Sequence, residues 1–263
     1  MTTVLCVPQW QGSAAESARF LKAGAHRTAE LMPADEVRVV PVRDDTTDLV
    51  DGVRALDVLV DNLRLTRETL ATIDDFVITA GGECAVDLAP VEAASRRYGD
   101  ELTLLWIDAN PDCYGPGDLR SGAFHAMIVR TLLGDGPTAL TPGRLLRPEQ
   151  VILAGVREVD DCEREYMVKT GLRAYGVDRL EEAFSQVSGP IYVHVDLDSL
   201  DPAEFASVGY RYPGGVSPGQ LIELLSRLDN VVGAAITEHA PRGENAAEAD
   251  IIRRLGAALR RGL

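Results

Sequence analysis

Basic side chains are scarce in this chain: 26 stand against 41 acidic ones in 263 residues, a net charge of −15 at neutral pH. That deficit argues against nucleic acid or a membrane surface as partner, since both need a cationic face. It suits a protein that attracts a small cation. Cysteine is scarce too. The four present (Cys6, Cys84, Cys113, Cys162) are irregularly spaced, too few for a disulfide scaffold and in keeping with a reducing cytosol. No apolar run approaches the ~18 residues of a membrane span. The opening MTTVLCVPQW has neither a basic n-region nor an apolar h-region, so no signal peptide is expected and a cytoplasmic location is. Internal repeats, low-complexity tracts and linkers are lacking as well. Gly81-Gly82 belongs to no Gly-x-Gly-x-x-Gly fingerprint and no P-loop lysine follows it, which counts against a nucleotide-binding domain.

What the chain does have is alternation. Short β-branched runs (Thr3–Val7, Val37–Val42, Asp75–Ala80, Leu102–Ile107, Gln150–Ala154, Pro190–Val195, Val231–Thr237) alternate with amphipathic stretches. The latter are Ala14–Met32, Gly52–Ile73, Ala85–Tyr98, Phe124–Leu133, Asp160–Thr170, Pro218–Leu228 and Ala246–Arg260. Continuously apolar strands such as Leu104-Leu105-Trp106-Ile107 are what a sheet buried on both faces requires. The pattern predicts one three-layer α/β/α domain over residues 1–263, with a predominantly parallel sheet. The Gly/Pro-rich segments Gly134–Pro148 and Ala203–Gly219 read as long loops inside it.

Ligands in such folds bind outside the carboxyl ends of the strands, and acids gather there. Asp108 and Asp112 follow the strand ending at Ile107; Asp196, Asp198 and Asp201 follow the strand ending at Val195. Two carboxylate clusters at the ends of two buried strands repel each other strongly unless cations sit between them. Residues two apart in an extended tip face the same way, so Asp196 and Asp198 can address one site. Hard oxygen donors suit Mg²⁺, Mn²⁺ or Ca²⁺. Taken singly, each aspartate is equally a turn residue or a helix N-cap.

Taken in order, the motifs resemble those of the arginase/agmatinase (ureohydrolase) family. Members carry Gly-Gly-Asp-His, then Asp-Ala-His-x-Asp, then Asp-x-Asp-x-x-Asp-Pro, each after a strand. This chain has Gly81-Gly82-Glu83-Cys84, Asp108-Ala109-Asn110-Pro111-Asp112 and Asp196-Leu197-Asp198-Ser199-Leu200-Asp201-Pro202. Ser121-Gly122-Ala123-Phe124-His125 resembles Ser-Gly-Asn-x-His, Gly155-Val156-Arg157-Glu158-Val159-Asp160 resembles Gly-x-Arg-x-x-Asp, and Thr237-Glu238-His239-Ala240-Pro241 resembles Glu-x-Asn-Pro. The resemblance implies an arginase-like fold and a homo-oligomer, trimer or hexamer. It also implies two Mn²⁺ ions on four Asp and two His ligands, with the bridging hydroxide attacking a guanidinium carbon to release urea.

Carried over residue by residue, Asp108, Asp112, Asp196 and Asp198 are implied metal ligands. His125 is the implied proton-transfer residue and Glu238 the guanidinium partner. Ser121, Asp160 and Glu163 match substrate contacts. The departures are local. Cys84 and Asn110 stand where the ligand histidines would be, Tyr114 and Ala123 replace asparagines that read an α-carboxylate, and Tyr210 replaces a threonine near the guanidinium. Asn110 offers a weaker oxygen donor. Cys84 offers either a thiolate favouring a softer ion, an inert buried thiol, or a bond to Cys113. The expectation is a hydrolase of a guanidino or amidino C–N bond using one or two divalent ions, acting on a small cationic substrate other than free arginine. A non-catalytic binding or regulatory protein with one metal or none stands beside it.

Overall fold

A computed structural model describes residues 1–261. Its centre is an eight-stranded, all-parallel sheet. In chain order the strands and helices are β1 (Thr2–Val7), α1 (Ala18–Leu31), β2 (Glu36–Val39), a short β3–β4 hairpin (Leu49–Val50, Val53–Arg54), α2 (Leu56–Leu70), β5 (Phe76–Gly81), α3 (Leu88–Tyr98) and β6 (Thr103–Ile107). There follow α4 (Ile128–Leu132), β7 (Val151–Ala154), α5 (Asp161–Thr170), β8 (Arg173–Tyr175), α6 (Leu180–Ser185), β9 (Ile191–Asp196), α7 (Pro218–Leu225), β10 (Val231–Thr237) and α8 (Ala246–Arg261).

Side-chain alternation divides the core in two. Leu105, Ile107, Val193 and Val195 point to one face, where residues of α1, α6, α7 and α8 cover them. Leu104, Trp106 and Tyr192 point to the other, under α2, α3, α4 and α5. The three-layer α/β/α expectation therefore holds, and all seven sequence-read strands are present. The periodic stretch from Gly52 overran its helix, because Gly52 and Ala55 take left-handed backbone angles and the hairpin occupies residues 49–54. Strand β8 and helix α6 were not anticipated; at three and six residues they are too short to show a period.

The strands lie in the order β2-β1-β5-β10-β9-β6-β7-β8. After β5 the chain crosses to β6, runs outward to β8, then returns to insert β9 and β10 between the two halves. That reversal opens a crevice above the carboxyl ends of the central strands. Register brings their tips level: Ile107 pairs with Val195, Val195 with Ile236, and Ile236 with Ala80. Asp108, Asp196, Thr237 and Gly81 consequently leave the sheet at one height.

Candidate metal centre

Four neighbouring strands each deliver one donor-bearing tip. From β6 come Asp108 and Asp112, from β9 Asp196 and Asp198, from β5 Cys84, and from β10 Thr237 and Glu238. All four aspartates are buried. Backbone N–H groups aim three of them. Asn110 N donates to Asp108 Oδ1 at 2.7 Å, Asp198 N to Asp196 Oδ1 at 2.7 Å, and Ala109 N to Asp198 Oδ1 at 3.4 Å. The indole of Trp106 donates to Asp108 Oδ2 at 3.1 Å. Asp112 Oδ2 and Glu238 Oε2 are buried without a hydrogen-bond partner. Both residues take left-handed angles, φ 51° and 64°, a conformation non-glycine residues hold only when the surroundings impose it.

Burial pushes the carboxyls of Asp112, Asp196 and Asp198 well above the ordinary range, and their mutual repulsion adds to it. Asp108 is raised by burial as well. Packing four acids together at a strand-end crevice and leaving carboxylate oxygens unpartnered is costly unless positive charge is supplied. The donor set therefore fits divalent cations. One oxygen each of Asp108, Asp196 and Asp198 lie within 4.8 Å of one another. So do ligand atoms of Cys84, Asp196 and Glu238, and of Cys84, Asp108 and His194.

Cys84 is fully buried and not disulfide-bonded; all four cysteines are free. Its Sγ donates to Asp196 Oδ2 at 3.1 Å, while Cys113 Sγ turns away to the Pro111 carbonyl at 3.1 Å. The pairing of Cys84 with Cys113 is thus excluded. Burial, then the charge of Asp196, pushes the Cys84 thiol up. Asn110 directs its amide outward, donating to the Glu158 carbonyl at 3.4 Å.

At the mouth, His125 Nδ1 meets Glu238 Oε1 at 3.0 Å. Burial works against a charged imidazole there, but Glu238 outweighs it and raises His125 to about 9. The ring of Tyr210 lies 6.1 Å from His125, and that of Tyr212 6.1 Å beyond. The long loop before α7 thereby forms an aromatic wall. On the other side the Tyr114 hydroxyl donates to Asp160, and Ser121 is exposed. Glu163 is nearly closed off: its oxygens accept from Cys113 N at 3.1 Å and Asp160 N at 3.2 Å, and burial raises it to about 7. Glu83 is likewise occupied, taking 2.6 Å and 2.7 Å hydrogen bonds from Gln9 Nε2 and Ala85 N.

Motif reading passes over His194. It sits one pleat below Asp196 in β9, fully buried, stacked on Trp106 with ring centres 3.4 Å apart and planes 2° from parallel. Its Nδ1 meets Asp87 Oδ2 at 2.9 Å and its Nε2 lies 3.3 Å from Thr237 Oγ1. The signal was present as period two: His194 and Asp196 share one face of β9, with Asp198 in the tight turn that follows. A cavity of about 430 Å³ between α2, α3 and the amino-terminal parts of β5 and β10 lies away from all of these groups.

A family model described as the arginase family matches residues 11–260. The arginase of Staphylococcus aureus (strain COL) is 30% identical over 184 residues, 63% of this chain and 61% of that protein. The arginase of Bacillus subtilis is 30% identical over 177 residues, 61% of this chain and 60% of its own. The aligned part thus spans less than two thirds of those relatives. Among solved structures, B. subtilis arginase superposes with a TM-score of 0.86 at 21% identity, covering 98% of each chain. Entamoeba histolytica arginase in complex with L-ornithine gives 0.79 at 21%, covering 98% of this chain and 97% of the other. Proclavaminate amidino hydrolase from Streptomyces clavuligerus gives 0.72 at 19%, covering 98% and 90%.

Proposed function

Since the chain belongs to the arginase family, we propose that it is a metal-dependent hydrolase of a guanidino or amidino C–N bond whose substrate is a small cation other than free arginine. One observation carries the reading: four buried aspartates, one of them with an unpartnered oxygen, converge beside a paired His125 and Glu238. In this reading Asp108, Asp112, Asp196 and Asp198 hold one or two divalent ions, Mn²⁺ by the family's example. Such ions, when bound, supply Lewis acidity and make a coordinated water acidic enough to ionise near neutral pH.

The chain's own groups do the rest. Glu238 has Oε1 fixed by His125 and Oε2 without a partner. A planar cation docks there through parallel N–H···O hydrogen bonds. His125, held charged at neutral pH by Glu238, keeps a proton for the departing nitrogen as the C–N bond breaks. Tyr210 flattens the approach beside it.

At the outer end Tyr114 is bound to Asp160 and Ala123 offers no polar group. An α-carboxylate would meet an acid there instead of an amide. A guanidino or amidino compound ending in an amine, or in nothing charged, suits Asp160 and Ser121 better. Glu163 supports this wall through the backbone of residues 113 and 160. The reading carries with it a cytoplasmic homo-oligomer, trimer or hexamer as in the resemblance. Among the described residues no helix is long and apolar enough to cross a membrane.

The test is urea or ammonia release from arginine, agmatine, hydroxyarginine and guanidino acids, with Mn²⁺, Fe²⁺, Zn²⁺ and Ni²⁺ in turn. The expected outcome is turnover of a carboxylate-free substrate at least ~10-fold above arginine, the loss of one charge-assisted contact. Silence across the whole set from folded, metal-loaded protein would instead favour the non-catalytic binding protein.

A further inference from the structure

We propose that the centre has two chemically unlike cation positions: a thiolate–imidazole position built by Cys84, His194 and Asp108, selective for a thiophilic ion such as Zn²⁺, beside an all-carboxylate position built by Asp108, Asp196 and Asp198. The inference rests on the hydrolase reading only in taking this crevice to hold cations.

Three donors of different chemistry meet at one point. The ligand atoms of Cys84, Asp108 and His194 lie within 4.8 Å of one another. Tetrahedral bonds of roughly 2.0–2.3 Å place donors about 3.3–3.8 Å apart, so the three would draw in from that spread to hold one ion. A set of three protein donors leaves a fourth position open, the arrangement of reactive rather than structural zinc sites.

The imidazole is aimed by its surroundings. Asp87 Oδ2 holds Nδ1 at 2.9 Å, and the other Asp87 oxygen accepts from the Tyr192 hydroxyl. This fixes the proton on Nδ1 and leaves the Nε2 lone pair directed toward Thr237 Oγ1, itself 3.4 Å from Cys84 Sγ. A buried carboxylate behind a histidine is the arrangement that orients metal-binding imidazoles and raises their basicity. Trp106 aligns two donors at once: its ring face locks the imidazole plane and its Nε1 fixes Asp108. It acts as a positioning residue.

Sulfur and nitrogen donors favour Zn²⁺ or Fe²⁺ over Mn²⁺, whereas the carboxylate triad favours the harder ion. Asp108 belongs to both sets, so it would serve either position. On loading, the Cys84 S–H bond breaks, the sulfur keeps the electron pair and bonds the ion, and the proton leaves to solvent. No oxidant or reductant is involved.

Co²⁺ alone is the probe, added to the full chain stripped of metal under reducing conditions. The wild-type protein is expected to show intense thiolate-to-cobalt absorption in the near ultraviolet at the first equivalent. Visible bands should carry the intensity of a tetrahedral ion. Cys84→Ser should abolish the ultraviolet band. His194→Gln should weaken Co²⁺ binding at least ~10-fold while changing Mn²⁺ affinity less than about threefold. The wild-type spectrum decides even if a variant fails to fold. Co²⁺ bound without the thiolate band, or unchanged affinity in folded His194→Gln, overturns this proposal and leaves the hydrolase reading standing. Neither Co²⁺ nor Mn²⁺ binding to folded wild-type protein overturns both.

Discussion

Two residues of the site are held in a backbone conformation that their side chains disfavour. Asp112 and Glu238 both have positive φ, at a cost on the order of 1 kcal/mol or more each, and both leave a carboxylate oxygen without a hydrogen bond. Strain and unsatisfied charge coincide where a ligand would relieve the second. A separate residue-scale effect lies just beyond, at His239. It is buried against Thr28 and Phe205, and burial lowers it from an ordinary value of 6.5 to about 4. An unfolded chain takes up that proton near pH 6.5, whereas the folded chain resists until about pH 4. Stability from this group is therefore full above pH 6.5 and is lost as pH falls toward 4, by about 2–3 kcal/mol at pH 4.5. Urea midpoints at pH 7 and 4.5 should show a smaller fall for His239→Gln than for the wild type; parallel falls would contradict it.

Among the elements, the tip of β5 has little room. A Cβ added at Gly82 would stand 1.8 Å from the Gln9 carbonyl oxygen, which is backbone. Gly82→Ala must push β1 and β5 apart and displace Cys84 with them, so it should cost at least ~2 kcal/mol. Gly219, in the first turn of α7 with open space around it, provides the contrast: Gly219→Ala should stabilise by about 0.5–1 kcal/mol. Chemical denaturation of the two variants checks both signs. The same contrast explains what could be read in advance. The buried strands announced themselves because both faces must be apolar, whereas the hairpin at 49–54 turns on left-handed Asp51 and Gly52 and has two residues per strand, too few to show a period.

At the scale of the whole molecule, the site was legible where it uses strand tips and hidden where it uses a strand's interior. Asp108, Asp112, Asp196 and Asp198 could be found because each ends or closely follows a strand, and Cys84, His125 and Glu238 because their motifs resemble the family's; the structure brings them together. His194 could not, since a polar residue within an apolar strand gains meaning only when Trp106 and Asp87 are seen against it. Asn110 stays at its motif position, its amide nitrogen donating to the Glu158 carbonyl. If the four aspartates are balanced by divalent ions, chelation should lower the thermal midpoint of metal-loaded protein by at least ~5 °C, as expected when a ligand bound only by the native state is withdrawn. An unchanged midpoint would show that the cluster needs no cation to stand.

The insertion of β9 and β10 between β5 and β6 also bears on how the protein is made. A chain emerging from the ribosome amino-terminus first can form β1, β2 and β5, and separately β6, β7 and β8, long before the strands that join them exist. Those halves stay apart, with unpaired inner edges open to aggregation, until the last quarter of the sequence arrives. The donor groups of the crevice then come together in one late step of high contact order. If the crevice holds ions as proposed, their capture waits on the arrival of β9 and β10.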